Sequence, residues 1–236
     1  GAWNPVSGFS DTYSNQIWLN LYDPAVFSHP FTGKTIPIRT NWQVENFGSD
    51  EKIGVPGDAI LWNIDTQRWE NVRAGSEATS KITFDLTLGN WHHEQKMDMN
   101  DILYSLYFLQ EWGSEQQQSD NTYDSEYSPQ AMQNAKTLVG IKLIDDDTVE
   151  MYVDYWHFDE AEIAAWAAPW SSMPWEIVAA SEDAVLDGKV SFSRSGGVSK
   201  SVNWLSLIVP NDANTIKEHL VEFKETKYVP PSLQDS

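Results

Sequence analysis

The chain of 236 residues contains no cysteine. Disulfides, thiolate-based zinc sites and thiol nucleophiles are therefore excluded, whatever the compartment. Basic residues are scarce, at 15 Lys and Arg against 35 Asp and Glu, for a formal net charge of −20. Such a polyanion repels nucleic acid and anionic membrane surfaces, so neither is expected as a partner. No run approaches the ~18 consecutive apolar residues of a membrane span. No signal peptide is recognisable, so an exported protein would have lost it. Phosphate-cradling glycine loops are missing, and no Gly-x-Ser-x-Gly elbow occurs. Aromatic residues, in contrast, are abundant: 13% of the chain, with 12 Trp. Trp offers a large apolar body and one N–H donor, so each suits a core or a stacking pocket.

The hydrophobic patterning alternates between strand and helix signals without a regular strand–helix rhythm. That predicts an α+β fold with a mixed sheet and helices. Lys81 to Leu88 is the clearest strand, with Ile82, Phe84, Leu86 and Leu88 on one face. Val139–Ile144 and Thr148–Tyr155 read as a hairpin turning at Asp145-Asp146-Asp147. Shorter strands are expected at Trp42 to Phe47 and at Ile60 to Ile64. Asp98 and Asp101 have capping-box spacing before the apolar face Ile102, Leu103, Leu106, Tyr107 and Leu109. Further helices are expected over 15–22, from Ser128-Pro129 with Ser128 as N-cap, over 161–168 after Asp159, and from Pro174 to about Leu186. A last helix, capped by Asn211 or Asp212, is expected to run to Phe223. Segments 113–127 and 188–203 read as loops, the first of them mobile.

Few residues carry a chemical signal of their own. His92-His93 lies near Asp98 and Asp101, but lacks the helical spacing of a zinc site. The Asp145–Asp147 cluster lacks the glycine and terminal Glu of a calcium loop, and reads as a solvated turn. Asp154, Asp159, Glu160 and Glu162 are candidates for a glycosidase pair only if space brings two of them together. Trp156, Trp166, Trp170 and Trp175 are clustered around two prolines and are expected mainly in the core. No catalytic residue, metal ligand or cofactor is expected. Trp3, Asn4, Asp11 and Tyr13 lie in polar loop sequence, where a core role is less obvious. These four are the candidate ligand-binding residues.

The run Phe84-Asp85-Leu86-Thr87-Leu88-Gly89-Asn90-Trp91-His92, followed by Met97-Asp98-Met99-Asn100-Asp101-Ile102-Leu103-Tyr104-Ser105, resembles the signature of family-5 extracellular solute-binding proteins. These are the oligopeptide, dipeptide and nickel binders. Leu21-Tyr22-Asp23-Pro24, Ile36-Pro37 with Trp42-Gln43-Val44, and Val139-Gly140-Ile141-Lys142 with Asp146-Asp147-Thr148-Val149 match further family elements in order. Thr87 departs from the family's Arg, and Glu94 stands where a turn Gly is expected. The resemblance implies one lobe of a two-lobed, type II periplasmic-binding-protein-like fold, residues 1–236 forming mainly the first lobe and the second lobe being absent. It implies a non-catalytic, extracellular or periplasmic binder of peptide or another small solute. Its partners would be an ABC importer's permease and the missing lobe, with membrane association through other parts of the parent. The alternative is a carbohydrate-active enzyme or binding module with Trp platforms and an acid pair.

Overall fold

A computed structural model describes residues 3–6, 8, 9, 11–115 and 120–234, with Gln130 described through its backbone only. The chain opens with a ribbon of β1 (Trp3–Asn4) and β2 (Gly8–Phe9), then helix α1 (Thr12–Trp18). A second ribbon pairs β3 (Val26–Ser28) with β4 (Thr35–Pro37), and β5 (Thr40–Asn46) follows. After β6 (Ile53–Gly54) come the hairpin β7 (Ile60–Asn63) and β8 (Arg68–Asn71), and β9 (Glu77–Ala78), which returns to β6. Strand β10 (Ser80–Leu86) leads into helices α2 (Met99–Gly113) and α3 (Ser128–Thr137). The hairpin β11 (Leu138–Leu143) and β12 (Thr148–Val153) precedes α4 (Glu160–Ala167) and α5 (Trp175–Leu186). The last part holds β13 (Val190–Ser191), α6 (Arg194–Lys200), β14 (Asn203–Trp204) and α7 (Pro210–Thr226).

The main sheet has six strands in the order β5-β10-β12-β11-β7-β8. Every pairing in it is antiparallel, so the sheet is not mixed as the sequence suggested. The one parallel pairing among the described residues is the short β13–β14 contact outside that sheet. The α+β class itself is as read from the sequence. Period-2 alternation explains the layering. Ile82, Phe84 and Leu86 of β10 are buried, while Lys81 on the opposite face bridges Glu45 and Glu150 across the neighbouring strands. The buried face packs under Ile102 and Leu106 of α2 and Ile163 of α4. Each such side chain taken from water contributes about 1.5–3 kcal/mol. A second core lies between α2, α5 and α7, around Phe108, Trp112 and Phe192.

Helix starts follow local chemistry, with three departures. The capping box is present: Asp98 accepts from Asn100 N, and Asp101 returns to Asp98 N. Asp159 caps α4 through Ala161 N. Ser128 does not cap α3; its hydroxyl donates to Gly113 O, and Asp124 instead accepts from Glu126 N and Tyr127 N. Neither Asn211 nor Asp212 caps α7, which starts on Pro210; Asp212 accepts from Ser206 N and Asn203 Nδ2. The segment 188–203 is no loop. Ser193 caps α6 through Gly196 N, a capping signal overlooked beneath the glycine pair. Within the segment read as a mobile loop, 116–119 lie outside the described residues, as does Ser7 near the start.

Candidate functional site

The site is a cleft of about 490 Å³ walled by parts of the chain far apart in sequence. One wall is Trp3 with Trp18, Leu21, Tyr22 and Asp23; Arg39 follows. The far wall is the β10–α2 connection, Gly89 to His93 with Met97, which Arg39 touches at Gly89. The floor is the segment from Trp170 to Pro174, with Ile177 of α5.

The aromatic wall is a contiguous cluster. The Trp3 ring lies 5.6 Å from Trp18 and 6.0 Å from Phe9, and Trp18 stacks on Tyr22 at 5.7 Å. Such pairs add about 0.5–1.5 kcal/mol beyond burial, enough to hold ring faces in register. Burial, with Asp23 beside it, raises the Tyr22 phenol above its ordinary value, so the ring presents a neutral hydroxyl. Helix α1 buries none of its residues. Tyr13 and Ile17 stand exposed on it, with Leu21 just beyond its end. Sequence periodicity places the helix over 15–22, with Ile17, Trp18, Leu21 and Tyr22 on one face. Asp11 moves the start forward by capping through Ser14 N, and only Trp18 and Tyr22 turn inward.

One buried carboxylate sets the far wall. Asp101 Oδ2 accepts from Asp98 N (3.1 Å) and Trp91 Nε1 (3.2 Å), while Oδ1 accepts from Trp175 N (2.9 Å). Asp101 thereby ties the start of α2, the Trp91 loop and the start of α5 together. Burial raises its pKa against the lowering effect of those donors. The loop itself turns through Glu94, whose φ is +70°. That is the position where the family resemblance called for glycine, and the left-handed backbone there explains why. On the floor, Trp170 Nε1 donates to Asp23 O at 2.9 Å, linking the two sides.

The four sequence-derived candidates have different environments. Trp3 lines the cleft. Asn4 lies beneath it, 1% exposed, with Nδ2 donating to Phe192 O and Leu205 O and Oδ1 accepting from Val6 N. Its contacts pin β1 to the α-helical core. Asp11 caps α1, and its carboxyl is lowered by the Ser14 backbone and hydroxyl. Tyr13 is 80% exposed, outside the cleft lining. Sequence reasoning missed Trp18, Tyr22, Arg39, Trp91 and Trp170. A signal existed for two of them: Tyr22 and Trp91 belong to the segments that carry the family resemblance.

The other acidic candidates, Glu160 apart, are accounted for locally. Asp145 Oδ1 accepts from Asp147 N and Thr148 N, closing the hairpin turn. Asp154 pairs with Lys52 at 2.7 Å, Asp159 caps α4, and Glu162 accepts from Thr35 Oγ1. Asp23 is the one carboxylate in the cleft lining among the described residues. No helix among these residues is long and apolar enough to cross a membrane. No known family model matches the chain, and no curated protein matches it.

Proposed function

We propose that the chain binds a small solute, an oligopeptide in the first instance, and delivers it to an ABC importer without chemical change. It would act outside the cytoplasmic membrane, as the first lobe of a two-lobed, type II binder. The observation that carries this reading is the cleft itself. Segments matching the solute-binding signature at 21–24 and 84–106 are remote in sequence, yet both line one aromatic-rich cavity. Concave, mostly apolar sites with a few convergent polar groups are where proteins hold small ligands. Five rings (Trp3, Trp18, Tyr22, Trp91 and Trp170) offer stacking faces, while Ser172 and Asn90 offer hydrogen bonds. A partner lobe closing over the cleft would complete the enclosure, and the work done would be a population shift on closure.

The Trp-rich lining also supports a second reading, carbohydrate binding, because sugars stack on indole faces. A glycosidase needs two carboxylates about 5–10 Å apart across the scissile bond, and the described lining supplies Asp23 alone. A thermal-shift series with pooled tripeptides and with mono- and disaccharides tests both readings. A ligand that binds the native state raises the melting temperature. Peptide-specific stabilisation, lost in Trp18→Ala, supports the proposal. Stabilisation by sugars alone replaces it with the carbohydrate reading, and no stabilisation by either removes the cleft as a site.

A further inference from the structure

We infer that the cleft selects solutes bearing a carboxylate, which docks on Arg39 and takes the place of Asp23. The inference rests on the solute-binding reading and adds the chemistry of recognition.

Arg39 is the one Lys or Arg side chain in the described lining. Its backbone is fixed on both sides: its N–H donates to Ala25 O, and its carbonyl accepts from Thr87 N. The guanidinium lies over Gly89, where a Cβ would come within 2.6 Å of Nη2. A side chain at that point would push the charged fork aside. Arg39 Nε lies 3.1 Å from Asp23 Oδ2, yet it is buried without an aligned hydrogen-bond acceptor. Nη1 and Nη2 make no hydrogen bond among the described residues. Arginine presents five N–H donors in a planar fork that matches a carboxylate two bonds at a time. Here that fork is anchored at the root and open at the tip.

Asp23 is a weak competitor for it. Its side chain is 59% exposed, against 28% for Arg39, and it approaches Nε rather than the terminal amino groups. A pair whose carboxylate stands largely in water contributes little, and a bidentate contact in a cleft flanked by indoles would replace it with a stronger one. The net charge of −20 opposes an anion at long range. Salt screens that field beyond about 8 Å, while contacts within the cleft are screened far less. A carboxylate can come from a peptide C-terminus or from an acidic sugar, and the probes separate the two.

Trp fluorescence of the full chain would be titrated with pooled aromatic tripeptides as free acids and as C-terminal amides, and with glucuronate and glucose. One acid should bind about tenfold to a hundredfold more tightly than its neutral match, the range set by charge-assisted hydrogen bonds. Arg39→Gln should erase that preference, so that the acid and its neutral match bind the variant alike. Arg39→Lys should retain part of it, and Asp23→Asn should strengthen acid binding. Neutral matches that bind as tightly in the wild type, or a preference that survives Arg39→Gln, overturn the inference and leave solute binding standing. If none of the four probes binds, both fall.

Discussion

Glu182 is a carboxylate with no cation. It is 6% exposed and accepts from Tyr104 OH (2.6 Å), Tyr107 OH (2.6 Å) and Trp112 Nε1 (3.0 Å). Among the described residues no Lys, Arg or His forms an ion pair with it. Three donors hold the charged form, but burial outweighs them, with Glu111 adding repulsion, and the pKa is raised. Two substitutions separate the hydrogen bonds from the charge. Glu182→Leu keeps the bulk and orphans three buried donors, at about 1–3 kcal/mol each before relaxation. The sum of about 3–9 kcal/mol is comparable with a whole domain's stability of about 5–15 kcal/mol, so this variant should be largely unfolded. Glu182→Gln keeps one oxygen for Tyr107 and Trp112 and turns an N–H toward Tyr104, whose hydroxyl can rotate to accept. It should fold.

A raised folded pKa means that the folded state binds more protons than the unfolded state between the ordinary value of 4.5 and the folded value. Stability from this group is therefore fully present below 4.5 and lost as pH rises through the folded pKa, at no more than about 1.4 kcal/mol per pH unit. Glu182→Gln removes that loss. Urea unfolding followed by circular dichroism at a series of pH values should show the wild type losing ground to Glu182→Gln as pH rises above 4.5. A difference that stays flat with pH would refute the argument, as would a Glu182→Leu variant within about 1 kcal/mol of wild type.

Two further expectations concern the backbone. Glu94→Gly should stabilise the fold slightly, because left-handed backbone costs an L-residue about 1–2 kcal/mol and glycine's extra chain entropy returns about 0.5–1; a clear fall in melting temperature would contradict this. Gly140→Ala should destabilise by about 1–3 kcal/mol, because its Cβ would meet Val55 Cγ1 at 2.9 Å, Ala59 Cβ at 3.2 Å and Val72 Cγ1 at 3.3 Å. A midpoint unchanged in urea would show that this corner is looser than its contacts imply.

Strand β10, the β11–β12 hairpin and the start of α2 were legible because each has a strong local code. Strict alternation from Ile82 to Leu86, an Asp turn and a capping box each state their conformation within a few residues. Helix α6 was not legible, because its two glycines and two serines mask the Ser193 cap. The cleft was partly legible. Trp3 was selected for its polar surroundings and does line the cavity, but Asn4 and Tyr13, chosen on the same ground, do not. Loop composition says that a side chain is near the surface; it does not say which way the side chain turns.

The sequence by itself determined the α+β class, the strand and helix codes of the sheet and α2, and the exclusion of thiol chemistry. Those follow from periodicity, capping and composition, which act within a turn or two of chain or over the molecule as a whole. The tertiary structure alone decided that Asp101 serves two helices and the Trp91 ring, and that Glu182 is ringed by neutral donors. It also decided that the Arg39 guanidinium lies against Gly89. Each of those pairings joins residues about 10 to 80 positions apart, set by how the helices dock on the sheet, and no local pattern encodes that docking.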